Sequence, residues 1–335
     1  MKILIKGAGD LATGVAARLY GAGHSLLMTE IPEPLTVRRK VALSQAVYDG
    51  TAQVGEMRAV LAPDREAAEK AISLGDIAVM ADPEAACRYW YAPDVVVDAI
   101  IAKRNCGTKI TDAPLVIGVG PGFTAGEDCH CVIETKRGHN LGKVIWEGSA
   151  IPDTGVPGEV GGYTTERLIR ASADGLMEPK AAIGDIVEKG RLVAVTGGCP
   201  VYAQIDGVVR GMLRKGVHVS KNLKIGDIDP RPDVTYCRTI SDKAMGIGGG
   251  ALEAVCRFER MKGRFAIVLL AAGNSDAASA ERGETPLYED ILKNLLAFGA
   301  FHKFVVTGEK KQPKPRRRME RFLYGAANPA KTSSL

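Results

Sequence analysis

Residues 2–30 read KILIKGAGDLATGVAARLYGAGHSLLMTE. The apolar run Lys2–Lys6 is bounded at once by glycine and predicts a short buried strand. Gly7, Gly9 and Gly14 follow with the spacing GxGxxxxG rather than GxGxxG, and a helical pattern runs on to about Tyr20. Ser25–Thr29 predicts a second strand, ending on the acid Glu30. Strand, glycine turn, helix, strand and acid, in that order, predict a parallel α/β sheet. Gly7 would make the tight turn, and Gly9 would let a phosphate approach the helix N-terminus beside Asp10. Glu30 stands where a dinucleotide site binds ribose hydroxyls. Glycines that serve only close packing fit the same spacing.

The alternation continues outward. Pro32 and Pro34 mark a loop, and Val37–Val47 predicts a helix with Arg38, Arg39 and Lys40 in its first turn. Three cations there oppose the helix dipole, so either an anion sits nearby or solvent covers them. Strands are expected at Ala59–Leu61, Ile77–Met80 and Val95–Ala99, with helices at Arg65–Leu74 and around Pro83–Tyr91. This is a Rossmann-like pattern over residues 1–110. Ligands of such sheets bind beyond the carboxyl ends of the strands, so Asp98, Lys103 and Arg104 should share one crevice with the Asp10 loop.

Residues 112–144, DAPLVIGVGPGFTAGEDCHCVIETKRGHNLGKV, gather the densest chemistry in a glycine-rich central segment, 111–176. Leu115–Val119 predicts a buried strand and Cys131–Glu134 a second, followed by a polar turn at Arg137-Gly138-His139. Gly120 and Gly122 can turn backbone N–H groups inward as an anion nest, with positive charge from Lys103, Arg104 and Arg137. Asp128, His130, Glu134 and His139 are the candidates for proton transfer. A hairpin with solvated polar residues is the plainer alternative. Cys129 and Cys131 would face one side of a strand, but no second half of a four-ligand zinc pattern follows, and no metal site is expected.

From Glu178 the texture changes to short strands and tight turns, a β-rich module over 177–232. A helix is expected before it, at Thr165–Ala173, and a helical linker after it, at 233–262, in which Ser241-Asp242-Lys243 caps a helix carrying Gly248-Gly249-Gly250. The repeated turns Ile183-Gly184-Asp185-Ile186 and Lys224-Ile225-Gly226-Asp227 resemble the barrel-sandwich fold of biotinyl and lipoyl carriers. Those carriers modify a lysine at a central hairpin, which here reads Thr196-Gly197-Gly198-Cys199-Pro200. The module is therefore expected to act as a scaffold or lid.

Composition excludes several classes. Charged residues are 25% and apolar residues 46% of 335, as in soluble globular proteins. No window approaches the roughly 20 apolar residues of a membrane span, and the N-terminus runs straight into a strand, so a cytoplasmic location is expected. The seven cysteines show no disulfide spacing. Between Glu309 and Arg321 lie seven basic residues and two acidic ones, a local excess equal to the net +5 of the chain. That places the charge in a basic tail, 309–335, rather than on a nucleic-acid-binding face.

Five segments together carry a specific resemblance: GAGDLATG (7–14), EIPEPLTVRR (30–39), GPGFTAGEDCHCVIETKRGHNLG (120–142), KIGDIDPR (224–231) and SDKAMGIGGGALEAV (241–255). They resemble the YqeB-type accessory proteins of selenium-dependent molybdenum hydroxylases. The resemblance implies a maturation role with the hydroxylase as partner, near selenium and the molybdopterin cofactor. On that basis the expected ligand is a small phosphate-bearing anion, a molybdopterin-type cofactor or a nucleotide. Phe265–Ser275 looks like the opening strand and loop of molybdopterin nucleotidyltransferases, expected here as a truncated fragment over 263–308 with a helix at Pro286–Leu296 and a strand at Phe304–Val306. An NAD(P)-dependent oxidoreductase and a non-catalytic scaffold that docks the hydroxylase are the alternatives. Catalyst or chaperone stays open, as does a homo-oligomer; neither a nucleic acid nor a membrane is expected as partner.

Overall fold

In the computed structural model residues 1–279 are described. The first strands are β1 (Lys2–Lys6), β2 (Ser25–Glu30), β3 (Thr51–Val54), β4 (Met57–Leu61), β5 (Ile77–Ala81), β6 (Val95–Asp98) and β7 (Leu115–Val119). Then come β8 (Thr124–Ala125), β9 (Cys131–Ile133), β10 (Val144–Ile145) and β11 (Gly148–Ser149). The helices among them are α1 (Asp10–Gly21), α2 (Ala46–Asp49), α3 (Arg65–Ser73) and α4 (Arg88–Tyr91), and α5 (Asp242–Ser279) comes much later.

Among the described residues a nine-stranded sheet runs β10-β9-β7-β6-β1-β2-β5-β4-β3. Its outermost strands pair antiparallel; all pairs between them are parallel. The alternation of side chains along each strand divides the core in two. Ile3, Ile5, Met28, Val97, Ile117 and Ile133 face α1 and α5. Leu4, Leu27, Val96, Val116 and Val132 face the other way, toward Ala68 and Ala71 of α3. Chain order reverses at β1, which lies between β2 and β6. A cleft is expected at the carboxyl ends of the strands at such a reversal.

The remaining strands are β12 (Leu168–Arg170), β13 (Gly175–Pro179), β14 (Ile186–Val187), β15 (Leu192–Thr196), β16 (Cys199–Tyr202), β17 (Gly207–Met212), β18 (His218–Val219) and β19 (Lys224–Asp229). They form two four-stranded antiparallel sheets, β12-β19-β17-β14 and β16-β15-β13-β18, around a separate apolar core. Gly197 and Gly198, both at positive φ, form the tight turn between β15 and β16. That turn packs against Ala173 and Asp174.

Helix α5 returns to the first sheet and fills the face beside α1, against β7, β9 and β10. Its glycines permit the approach. Gly250 lies over the Gly142 carbonyl and Gly248 over the Gly14 carbonyl, each too close for a Cβ.

Four local expectations need correction. Val37–Val47 is not one helix: Arg38 and Ala42 leave helical geometry, giving short 3-10 turns before α2. The segment is held instead by the β-rich part, with Met212 N–H donating to the Val37 carbonyl and Lys40 Nζ to that of Ile183. Near Pro83–Tyr91 only Arg88–Tyr91 is α-helical, because Ala85 sits at φ +49° and the Asp82 carboxylate takes the Cys87 N–H. Thr165–Ala173 gives a 3-10 turn and then strand β12, paired with β19. Phe265–Ser275, expected as strand and loop, is helical as part of α5; a short apolar run rich in alanine and leucine suits either state. The expected helix at Pro286–Leu296, the strand at Phe304–Val306 and the basic tail lie outside the described residues.

Candidate functional site

The five motif segments, distant in sequence, meet at the carboxyl ends of the parallel strands. α1 begins there, and Asp10 in its first turn pairs with Arg38 at 3.3 Å. Arg38 is almost fully buried; its Nη2 donates to the carbonyls of Tyr236 and Thr239, while its Nε has no acceptor. Tyr236 O also accepts from Arg210 Nε, and Arg210 pairs with Asp229 at 3.1 Å. Arg231 clasps the same Asp229 through two nitrogens, at 2.9 and 2.7 Å. Burial opposes ionisation of Asp229, yet the Arg231 hydrogen bonds and the Arg210 charge hold its carboxyl below the usual range. On the same strand end Asp227 pairs with buried Arg167 at 3.0 Å, and Arg167 likewise keeps an Nε without an acceptor.

Arg137 closes the crevice from the β9–β10 turn. Its guanidinium makes a bidentate pair with Asp242 at the start of α5, holding that carboxyl down at about 2. Lys243 follows, and burial, then the Arg137 charge, lower its ammonium from the usual lysine value. The segment 150–164 crosses here without regular secondary structure apart from one isolated bridge. Asp153 pairs with Lys103 at 2.7 Å, the Gly158 carbonyl accepts from Arg167, and Gly161 packs on Pro230. The arrangement can hold an anion: it gathers arginines and lysines around carboxylates that are already paired.

The structure sorts the residues singled out in the sequence. Gly9 caps α1 without side-chain help, and a Cβ on it would meet only Thr36 Oγ1, at 3.8 Å, so this position is open. Gly7, at φ +91°, fits under the Ala99–Ile100 backbone at the end of β6. Gly14 is a packing glycine, 2.5 Å at its would-be Cβ from the Ala244 carbonyl oxygen. Glu30 turns back onto the loop: its Oε2 accepts from Ala8 N–H at 3.0 Å and its Oε1 from Ile31 N–H at 2.9 Å, and burial raises its pKa. Gly120 gives its N–H to the Ile133 carbonyl, and Gly122 lies against the Arg104 backbone.

The four proton-transfer candidates are not brought together with this crevice as one cluster. Asp128 bonds Thr124 N–H and Asn105 Nδ2 in the β8–β9 loop. His130 Nδ1 accepts from Val116 N–H at 2.9 Å, and burial lowers its pKa. Glu134 is buried under three backbone donors: Thr135 and Lys136 at Oε1, both 2.7 Å, and Ile151 at Oε2, 2.8 Å. His139 is exposed on the β9–β10 turn. Cys129 and Cys131 fall in the two different cores, not on one side, because Cys129 precedes β9 in an isolated bridge. Among the described residues no cluster of His, Cys, Asp and Glu could hold a metal, and no helix is long and apolar enough to cross a membrane.

Sequence reasoning left Arg167, Arg210, Asp229, Asp242 and Lys243 out of the site and took Arg38 only as one of three cations that an anion or solvent would cover. The run Arg38-Arg39-Lys40 and the charge density of KIGDIDPR were the local signals for part of this set.

Fold and site together define an α/β protein built on a large, mainly parallel sheet with smaller antiparallel sheets, bearing a charged crevice at the strand ends. Over 253 residues the chain is 48% identical to the uncharacterised protein YqeB of Escherichia coli strain K12, a match covering 76% of this chain and 47% of that protein. This supports a protein of the YqeB type; the chain spans about half the length of that curated relative. No family profile matches the chain. An aspartoacylase family protein of Mesorhizobium loti aligns over 69% of this chain and 86% of its own, at 14% identity and TM-score 0.24. The product-bound ectoine utilization protein EutE (DoeB) of Ruegeria pomeroyi aligns over 25% and 27%, at 21% identity and TM-score 0.18. At these scores the likeness carries no argument.

Proposed function

We propose that this chain serves the maturation of a selenium-dependent molybdenum hydroxylase by holding an anionic, phosphate-bearing ligand, a molybdopterin-type cofactor or a nucleotide, in the charged crevice. The observation that carries this reading is the convergence there of segments 7–14, 30–39, 137–142, 224–231 and 241–243, which no local folding rule requires. The donor set fits such a ligand: Lys103 and Arg137, whose charged side chains stay partly exposed at the crevice, are of the types that bind phosphate oxygens. On this reading the large sheet is a Rossmann-like domain and the two four-stranded sheets a barrel-sandwich module. That module acts as scaffold, since its hairpin turn carries no lysine and packs against residues 173–174. The Glu30 carboxylate already accepts two backbone N–H groups, which weighs against its use on a dinucleotide ribose.

The test is native mass spectrometry of the full chain purified anaerobically, with released ligands identified, alongside capture of the hydroxylase. A pterin or cytidine nucleotide supports the reading. A nicotinamide nucleotide alone would favour the oxidoreductase instead. An empty chain that captures hydroxylase but binds no phosphate-bearing compound would leave only a scaffold.

A further inference from the structure

The nine-stranded sheet ends on β3, and that edge is open. The hairpin register sets Val54 opposite Met57 and Ala52 opposite Ala59, and beyond them Leu61 N–H donates to the Gly50 carbonyl. Backbone bonds alternate along an antiparallel pair, so Gly50, Ala52 and Val54 bond β4 while Thr51 and Gln53 turn their N–H and C=O groups outward. Among the described residues nothing bonds these outward groups. The chain before β3 packs elsewhere: Val41, Leu43 and Ala46 join the core with Val54 and Met57, on one face of the hairpin. Sheet edges are commonly blunted by charge, by proline or by a covering element. The four residues of β3, Thr51-Ala52-Gln53-Val54, carry neither charge nor proline.

A groove of about 490 Å³ follows this edge, lined by all of β3 and also by Arg39, Lys40 and Arg238. None of these three cations makes an ion pair among the described residues. Arg39 Nε and Lys40 Nζ donate only to neutral carbonyls, of Met212 and Ile183, and the exposed Arg238 side chain makes no hydrogen bond there. Asp49, the one carboxylate lining the groove, is already held by Arg214 and Gln45. Burial, then the Arg214 charge, lower the Arg39 guanidinium from its usual value, as expected of a cation short of a partner. A small anion would use the cations and leave the strand edge idle. An extended acidic chain uses both: its backbone continues the ladder, and its alternate side chains fall on one face.

We propose that an acidic segment of a partner protein adds to β3 as a further strand, with its backbone on Thr51 and Gln53 and its carboxylates on Arg39, Lys40 and Arg238. This goes beyond the phosphate-bearing reading and does not rest on it, since the groove shares no lining residue with the crevice pairs.

Calorimetry on the full chain tests it with three capped hexapeptides: alternating glutamate and valine, alternating lysine and valine, and the acidic peptide N-methylated at every peptide bond. The acidic peptide should bind and the basic one should not, and N-methylation should weaken binding about tenfold or more. Arg238→Glu and Gln53→Pro should each weaken the acidic peptide to a similar degree, while Gln53→Ala retains most of the affinity. Proline at position 53 removes an N–H that β4 does not use, and circular dichroism melting checks that each variant folds. If Gln53→Pro does not fold, the N-methylated peptide removes the same bonds from the other side. Acidic-peptide binding that neither change weakens would reduce the groove to a charged patch and overturn strand addition. No binding of the acidic peptide overturns the proposal outright. Sedimentation that shows a dimer of this chain, dissolved by Gln53→Pro, would put a second copy on β3 and overturn the acidic partner. Each of these failures leaves the crevice reading standing.

Discussion

Lys6 and Asp98 pair at 3.3 Å across the ends of β1 and β6, almost wholly out of solvent, and Thr108 bonds both. The pair pins the loop after β6 to the strand that feeds the glycine turn. Removing one partner strands the other as a buried charge. Asp98→Ala should therefore cost about 3–5 kcal/mol in urea unfolding. The double variant Lys6→Met, Asp98→Leu should recover most of that loss. A single variant within 1 kcal/mol of the parent (a roughly fivefold change in the folding constant) would refute the pairing.

The glycines of the first turn separate by role. Gly14→Ala forces a methyl against the Ala244 carbonyl and should destabilise by about 1–3 kcal/mol, the usual range for overpacking, less a small gain in helix propensity. Gly9→Ala meets no close atom and has ordinary φ, so its stability should stay within roughly 0.5 kcal/mol. Its methyl would stand in the approach to α1 and should weaken binding of a phosphate probe. Equal melting losses for the two variants would contradict this division.

The parallel sheet was legible in residues 2–30 because short apolar runs between glycine turns and amphipathic stretches leave few alternatives. The covering of its β7–β9 flank was not. No helix follows β6 or β7 in sequence, and α5, which fills that face, arrives only after the whole β-rich part. Such a contact depends on tertiary packing of Gly248 and Gly250, which in sequence resemble flexibility rather than close approach. The charged crevice was hidden for the same reason. Arg38, Asp229 and Lys243 are ordinary surface types locally, and only the fold places them together. For Glu134 and His130 the residue type was legible and the partners were not: their hydrogen bonds go to backbone N–H groups.

His130 supplies a pH-dependent prediction. Burial lowers its pKa in the folded chain below the roughly 6.5 of a free imidazole. The unfolded chain then binds the extra proton first. Stability from the neutral ring is complete above that value and is lost as pH falls from about 6.5 toward the folded pKa. His130→Asn keeps an acceptor for Val116 N–H but cannot titrate. The difference in unfolding free energy between parent and variant should therefore shift in the variant's favour between pH 7.5 and 5. A constant difference across that range would show that His130 does not titrate with folding.

Glu134 discriminates between a structural and a chemical carboxylate. Its two oxygens serve three backbone N–H groups, from Thr135, Lys136 and Ile151. Glu134→Gln is nearly isosteric, yet one end becomes an NH2 facing a donor, so at least one buried N–H loses its partner. The expected loss is about 1–3 kcal/mol if the amide nitrogen takes the Oε2 place and releases Ile151 alone, and more if it takes the Oε1 place and releases both Thr135 and Lys136. Because Ile151 begins the segment that carries Asp153 and Gly158 over the crevice, amide exchange should rise through residues 151–158 in the variant. Affinity for a phosphate probe should fall less than in Gly9→Ala, since Glu134 acts through the segment and not on the anion. A variant that melts like the parent, with no faster exchange, would instead return Glu134 to the set of proton-transfer candidates.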